Sequence, residues 1–165
     1  MIWIRNGERK DLPAIHHIEN EAILNGNATF DLHEKSIEEK QEWFTKFEGM
    51  YPILVAEWEG EVAGYAYLSP FEEKLAYQST VELSVYVYPR FHGLGIGHSL
   101  MTAILDKGKE CGFHTVISKI TEGNERSVQL HIRYGFSYVG TLKEVGYKFD
   151  RWHDVLLYQW FPQEH

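Results

Sequence analysis

Hydrophobic positions in the first fifty residues recur at intervals of three and four, which is the spacing of one face of a helix. This spacing runs from Leu12 to Ile23 and is stopped by Gly26. A second helix is predicted from Ser36, which opens a Ser-x-x-Glu capping box, to the residue before Gly49. The N-terminal third of the chain is therefore predicted to be helical.

Beyond the second helix the hydrophobic pattern changes to that of strands. The apolar runs 53–58 and 62–68 flank a Glu59-Gly60 turn and predict an antiparallel hairpin. A third strand is predicted at 80–88. The segment between, 69–78, is a long loop that contains aromatic residues. Loops of that length in compact domains are more often functional than merely connecting.

The second half alternates between helix and strand patterns. Helices are predicted at 96–112 and 124–134, with strands at 116–120, 136–142 and 152–160. Antiparallel strands come first and helical crossovers later. This order predicts an α+β fold, with a central, mostly antiparallel sheet flanked by helices.

Composition narrows the class of protein. The chain has 165 residues, and we find no repeat, linker or low-complexity stretch, so residues 1–165 are predicted to form a single domain. One cysteine gives no internal disulfide framework and favours a reducing, cytoplasmic location. The chain shows neither a secretory signal nor an apolar run of the ~18 residues that a membrane span needs. A net charge of -8 argues against nucleic acid as a partner.

Residues 85–97 combine a predicted strand, a glycine-rich turn and the start of a helix. Glycines let a backbone approach a ligand closely, and the N–H groups at a helix N-terminus attract anions. The segment is therefore a candidate phosphate cradle, although a glycine-rich turn can also be only a flexible helix cap. A dinucleotide-binding fingerprint would need glycine where His98 stands, and no Walker-type sequence is present.

Three segments resemble a known superfamily. The Arg-x-x-Gly-x-Gly run at 90–95 with its extension to Gly97 resembles the acyl-CoA-binding motif of the GCN5-related N-acetyltransferases. The runs 123–127 and 130–136 are similar to the next motif of that superfamily. The resemblance implies the N-acetyltransferase fold, with acetyl-CoA as the acyl donor.

A narrower resemblance spans nearly the whole chain. The segments concerned are Asn27-Ala28-Thr29-Phe30, 51–56, Ala76-Tyr77, 80–87 and 146–155. They are similar to phosphinothricin N-acetyltransferases and to methionine sulfone/sulfoximine acetyltransferases. This resemblance implies a small amino-acid-like amine as the substrate and, by analogy, a homodimer formed through the C-terminal strands.

Acetyl transfer to an amine requires a base, because an α-amino group with a pKa near ~8 is mostly protonated at neutral pH. Glu82 lies on the predicted third strand, on the face opposite to Val81 and Leu83. Such a glutamate can simply be a surface residue, but its place in the family-like Thr-Val-Glu run favours a general base. The resemblance also implies that a backbone N–H near Val85 stabilises the thioester oxygen.

The acid that protonates the leaving thiolate is a further prediction. His131 stands where many members of the superfamily carry a tyrosine. A histidine can donate a proton near neutral pH, but His131 is equally well explained as a packing residue of the helix.

The resemblance assigns the remaining site residues. For acetyl-CoA they are Val85, Tyr86, Val87, Arg90, His92, Gly93, Leu94, Gly95, Ile96, Gly97, His98, Asn124 and Ser127. For the amine substrate they are Thr29, Phe30, Phe71, Tyr77, Lys148 and Trp152. The group that binds a substrate carboxylate is left open between Lys148, Arg151 and a partner subunit. No metal is predicted, because the histidines show no ligand spacing.

Three functions are compatible with the sequence. The favoured one is an N-acetyltransferase for a small amino acid or analogue. The others are acetylation of a peptide N-terminus and non-catalytic binding of acyl-CoA. The loop 69–78 is expected to cap a small pocket in the first case and to leave an open groove in the second.

Overall fold

The structure is a computed structural model that describes residues 1–26 and 29–162. Its strands are β1 (Ile2–Asn6), β2 (Ile53–Trp58), β3 (Glu61–Pro70), β4 (Thr80–Val87), β5 (Thr115–Thr121), β6 (Ser137–Lys148) and β7 (Arg151–Trp160). They form one sheet in the order β1-β2-β3-β4-β5-β7-β6. All neighbouring strands are antiparallel except β4 and β5, which are parallel.

Four α-helices cover the two faces of the sheet. They are α1 (Leu12–Asn25), α2 (Ile37–Phe47), α3 (Ile96–Glu110) and α4 (Glu125–Arg133). Leu54 and Ala56 of β2 pack in one core cluster with residues of α3 and α4, whereas Val55 between them packs with α1. Since successive strand residues point to opposite faces, α1 lies on one side of the sheet and α3 and α4 on the other. None of the described helices has both the length and the apolar composition that crossing a membrane requires.

The predicted α+β architecture is confirmed, and two strands differ from the sequence prediction. The prediction did not include β1, which pairs with β2 at the edge of the sheet. Strand β6 continues beyond Leu142 because a bulge, with Glu144 in the left-handed region, absorbs extra residues before pairing resumes at Gly146. The Asn27-Ala28 part of the family-like motif lies outside the described residues.

The sheet opens between β4 and β5. These strands pair only at Thr80–Glu82 with Thr115–Ile117. Beyond Glu82, β4 stays paired with β3 up to Val87, while β5 stays paired with β7 up to Thr121. The two halves of the sheet therefore diverge and leave a gap between the C-terminal parts of the parallel strands.

Candidate active site

The edge of β4 that faces the gap carries backbone groups beyond the reach of the β5 ladder, and one of them, the Val87 carbonyl, accepts from His92 Nε2 at 3.1 Å. The N–H of Tyr88 donates to the carbonyl of Ala63 at 2.9 Å, so it points toward β3. Because consecutive residues of a strand direct their N–H and C=O groups to opposite edges, those of Val87 and Val85 point into the gap. This edge can pair with an extended ligand as an added strand would.

A long groove with a volume of about 1090 Å³ follows this edge. It is lined by the end of β4, the glycine-rich turn, the first turn of α3, the length of α4 and the C-terminal end of α1. The predicted cofactor residues that line it are Val85, Tyr86, Val87, His92, Gly93, Gly95, Ile96, Gly97, His98, Asn124 and Ser127. The structure thus brings most of the predicted cofactor set together in one groove.

The glycine-rich turn presents backbone N–H groups at the start of α3. Gly95 is the N-cap, with φ of 84°, and contributes no side chain that could cap the helix. Ser99 is the first residue whose N–H reaches back to the Gly95 carbonyl. The N–H groups at positions 96–98 precede it and have no acceptor within the helix. Together with the positive end of the helix dipole, they form a site suited to a phosphate group.

Two predicted cofactor residues do not line the groove. Arg90 forms an exposed ion pair with Glu61 and stacks over Phe91. Leu94 is at the exposed tip of the turn. Two arginines of α4 outside the predicted set, Arg126 and Arg133, line the groove, so positively charged side chains stand beside the main-chain N–H groups there.

A second, smaller cavity of about 310 Å³ lies beside the groove, and we call it the side cavity. It shares Val85 and Tyr86 with the groove. Both predicted catalytic residues, Glu82 and His131, line it. The predicted substrate residues Thr29 and Phe30 line it as well. The two cavities therefore meet at the backbone edge of β4, next to the predicted base.

Glu82 is paired with a lysine that the sequence analysis missed. The Glu82 Oε1 atom lies 3.0 Å from Nζ of Lys119 on β5. Glu82 pairs with Ile117 in the short parallel ladder, so Lys119, two residues further, lies on the same face of β5 as Ile117. Only the β4–β5 register reveals this contact, and neither residue type nor spacing predicts that register.

His131 is buried and fully engaged by its neighbours. Its Nδ1 lies 2.7 Å from the Ser127 carbonyl oxygen, which can only accept, so Nδ1 carries the proton. Its Nε2, 2.9 Å from the Ser118 hydroxyl, therefore accepts from that group. Burial lowers the pKa of His131, and the Ser127 hydrogen bond only partly opposes this effect. At neutral pH this geometry gives Nε2 no proton to donate.

The buried, neutral His131 predicts a pH-dependent stability. In the unfolded chain the histidine titrates near its ordinary 6.5. The native state binds that proton less readily than the unfolded chain does. The free energy of unfolding is therefore at its full value when the pH is above the ordinary pKa of histidine, and it decreases as the pH falls below that pKa. Between about pH 7.5 and about pH 5.5 we expect the free energy of unfolding to fall more in the wild type than in His131→Gln. Urea denaturation at both pH values tests this, and equal losses in the two proteins would contradict it.

Four predicted substrate residues lie outside the wall of the side cavity. Phe71 and Tyr77 of the long loop pack edge-to-face on each other, and Trp152 is exposed beside Tyr147. Lys148 is buried and donates a hydrogen bond of 2.9 Å to the Thr29 carbonyl. The structure therefore gives Lys148 a supporting position behind the cavity.

The segment 29–31 lines the side cavity, and the loop 69–78 does not. A cap formed by that loop was expected for an amino-acid acetyltransferase, and an open groove for a peptide acetyltransferase. The Phe30 ring lies directly against Gly146 of β6, where any Cβ would overlap it. The ring also packs on His153. These contacts, with the Lys148 hydrogen bond, fasten the segment onto the β6–β7 hairpin. Sequence alone did not indicate this long-range packing.

Tyrosines line the inner part of the side cavity. Tyr67 and Tyr86 both line it, and the buried Tyr65 stacks on each of them. Burial raises the pKa of Tyr67 to about 12 and that of Tyr86 well above its usual value. Their hydroxyl groups therefore stay protonated at neutral pH. Glu19, which lines the cavity beside them, is paired with the buried Lys40 at 3.2 Å.

Residues 1–26 and 29–162 contain no group of three or more His, Cys, Asp or Glu side chains that could hold a metal ion.

Comparisons with known proteins agree with this geometry. Residues 4–157 match the family model of an acetyltransferase (GNAT) domain. An L-methionine sulfoximine/L-methionine sulfone acetyltransferase from Salmonella typhimurium is 33% identical, over 98% of this chain and 95% of that protein.

Two solved structures are also similar. A phosphinothricin acetyltransferase from Sinorhizobium meliloti, in complex with AcCoA, superposes with a TM-score of 0.94 at 35% identity, over 97% of this chain and 88% of that one. A ribosomal-protein-alanine N-acetyltransferase from Brucella melitensis superposes with a TM-score of 0.95 at 38% identity, over 97% and 99% of the two chains. The resemblance predicted from the sequence is thereby confirmed. The chain belongs to the GNAT acetyltransferase family and is an acetyl-CoA-dependent N-acetyltransferase.

Proposed function

We propose that the protein transfers an acetyl group from acetyl-CoA to the α-amino group of a small free amino acid or analogue, of the phosphinothricin, methionine sulfone or methionine sulfoximine type. The observation that carries this proposal is the meeting of the two cavities at Val85 and Tyr86. A side cavity of about 310 Å³ suits one amino acid, and it holds a carboxylate where the amine would lose its proton.

The groove is suited to acetyl-CoA. The pantetheine arm would pair with the gap-facing edge of β4 at Val85 and Val87, and the pyrophosphate would accept from the N–H groups that follow Gly95. The side chain of Asn124 caps α4 by accepting from the Ser127 N–H at 3.3 Å, which places both residues beside the groove. Arg90 and Leu94 shape the turn and do not face the groove.

The chemistry follows from direct attack in a complex of enzyme, donor and acceptor. The proton of the acceptor ammonium passes to Glu82, directly or through a water molecule. The amine lone pair forms a C–N bond to the acetyl carbonyl carbon, and the oxyanion is stabilised by the gap-facing Val85 N–H. The oxyanion then re-forms the carbonyl as the C–S bond breaks, and the bonding electron pair leaves on the thiolate of coenzyme A. The nitrogen gives up its second proton to solvent as the amide forms, and the thiolate takes up one proton. Because His131 Nε2 accepts a hydrogen bond from Ser118, it has no proton to give to the thiolate, and we assign this histidine a positioning role. Solvent then supplies the proton that the thiolate takes up.

Acetylation of a protein N-terminus is the second candidate. It is favoured by the relative named ribosomal-protein-alanine N-acetyltransferase. The volume of the side cavity, about 310 Å³, favours the smaller acceptor, whereas the absence of the loop 69–78 from its wall fits the open groove expected for a peptide.

The acceptor is tested by measuring thiol release from acetyl-CoA with methionine sulfone, methionine sulfoximine, phosphinothricin, the common amino acids and an N-terminal peptide. We expect release with a free amino acid or analogue. Thiol release with the peptide alone would indicate that proteins are the acceptors. Binding of acetyl-CoA without thiol release from any compound would favour a non-catalytic module.

We also propose a homodimer formed through β6. This edge strand and the turn after it expose Tyr138, Val139, Leu142, Val145, Tyr147 and Phe149. An exposed edge strand with an apolar surface is suited to pairing with a second copy. We expect light scattering to give about twice the 19.3 kDa mass of one chain, and Val139→Lys to reduce that mass. A monomeric wild type at the same concentration would contradict the dimer.

A further inference from the structure

The charges on the wall of the side cavity are unequally distributed. Glu19, Asp31 and Glu82 contribute carboxylates. Among the described residues of this wall, only Lys119 carries a permanent positive charge. An acceptor that brings an anionic group into the side cavity therefore meets one cation there.

Other cations near the side cavity are engaged elsewhere. Lys40 is buried in its ion pair with Glu19, and Lys148 donates to the Thr29 carbonyl behind the wall. Lys35 pairs with Asp31 at 3.6 Å, and Arg151 forms an exposed ion pair with Glu122. None of these four cations lines the cavity. Lys119, by contrast, has a half-exposed side chain that lines it beside the proposed base.

We propose that Lys119 binds the α-carboxylate of the acceptor while Glu82 holds its α-ammonium group, so that the pair recognises the zwitterionic head of a free amino acid. This inference rests on the proposed function. In an α-amino acid only two carbon atoms separate the ammonium nitrogen from the carboxylate oxygens. The Glu82 and Lys119 charges, 3.0 Å apart, offer a complementary anion and cation on the same scale.

The chemistry of the two side chains permits both contacts at once. The ammonium group of a lysine has three N–H donors, and a carboxylate has two oxygens with about four acceptor positions. Neither residue must give up its partner to bind the substrate. The Lys119 Nζ atom also lies 5.8 Å from the Phe71 ring centroid, within the range of a cation–π contact. Phe71 thus contacts Lys119, the residue that would bind the acceptor, and lies outside the cavity wall itself.

This arrangement makes Lys119 a specificity residue. A free amino acid presents an α-carboxylate to it, whereas a peptide N-terminus or an amino acid amide presents a neutral carbonyl at the same place. Lys119 therefore favours free amino acids over peptides. Its contribution to acceptor affinity can be measured by comparing an amino acid with the corresponding amide.

The test compares methionine sulfone with methionine sulfone amide in wild type, Lys119→Met and Lys119→Arg. Methionine keeps the length of the side chain and removes its charge. A charge-assisted hydrogen bond corresponds to about 10- to 100-fold in affinity, so we expect Lys119→Met to raise the KM for the acid by that factor. The KM for the amide is expected to stay near the wild-type value, and Lys119→Arg to keep most of the preference for the acid.

Lys107→Met is the matched control. Lys107 is also a partly exposed lysine in an ion pair, with Glu110 at 3.4 Å, and it lies outside the side cavity. This control is expected to leave both KM values unchanged. Equal losses for acid and amide in Lys119→Met would overturn the carboxylate contact and show that the lysine acts through Glu82 alone. A wild type that acetylates neither these compounds nor any other free amino acid would overturn the proposed function itself, and the zwitterion recognition with it.

Discussion

Glu82→Gln is expected to lower kcat by about 10²- to 10⁴-fold, the usual contribution of a general base, while leaving acetyl-CoA affinity near that of the wild type. Glutamine keeps the size of the side chain and removes the group that accepts the proton. Glu82 lines the side cavity and not the groove, so the loss should fall on the acceptor and the chemical step and leave acetyl-CoA binding intact. Steady-state thiol release and calorimetric titration with acetyl-CoA measure the two effects separately.

The pH profile distinguishes a base from a residue that only shapes the cavity. An acceptor amine with a pKa of about 8 is protonated at low pH, so the reaction depends most on a base there. At high pH the amine is already deprotonated, and the reaction depends least on a base. The loss of kcat in Glu82→Gln, relative to the wild type, should therefore be largest at low pH and become smaller as the pH rises. Glu110→Gln serves as the control, because Glu110 also pairs with a lysine and lies outside both cavities. A variant with wild-type rates across the pH range would remove Glu82 from the mechanism.

Gly97→Val is expected to weaken acetyl-CoA binding by about 10- to 100-fold, because its side chain would occupy space beside the amides that hold the pyrophosphate. A Cβ at Gly97 would lie 3.5 Å from Leu130 Cδ2 and 3.9 Å from Val87 Cγ2, both ordinary contacts with residues of the groove wall. The fold can accept this atom. Gly95 is a poorer choice, since its φ of 84° would strain any other residue and disturb the turn itself.

Calorimetric titration with acetyl-CoA tests this second prediction, and thermal unfolding shows whether the variant is folded. Gly108→Ala is the matched control in the same helix, because a Cβ there would contact Leu68, in the core, at 3.5 Å. The control is expected to bind acetyl-CoA as the wild type does. Unchanged affinity in a folded Gly97→Val protein would show that the turn does not hold the pyrophosphate.

Local sequence signals predicted the elements that local interactions determine. The capping box at Ser36 begins α2 as expected, with the Glu39 N–H donating to the serine hydroxyl. The Glu59-Gly60 turn joins β2 and β3 for the same reason, since both residues adopt the left-handed region that such a turn needs. The glycine-rich turn likewise leads into α3 with Gly95 as its N-cap.

Features that depend on distant parts of the chain could not be predicted in this way. The gap between β4 and β5 follows from a parallel ladder that ends at Glu82, and no residue near that position encodes where the pairing stops. The Lys119 contact depends on the same register. The place of Phe30 in the wall of the side cavity depends on its contact with Gly146, more than a hundred positions away in the sequence. The family-like motifs indicated which residues belong to a site, whereas the folded sheet determines which of them face the cavities.

The most direct measurement is a crystal structure with coenzyme A and an acceptor such as methionine sulfone bound together. The account predicts coenzyme A in the groove, with its pantetheine arm along Val85 and Val87 and its pyrophosphate at the N–H groups after Gly95. It places the acceptor in the side cavity, with its amine at Glu82 and its carboxylate at Lys119. An acceptor bound outside the side cavity, or an amine that cannot reach both Glu82 and the coenzyme A sulfur, would contradict it.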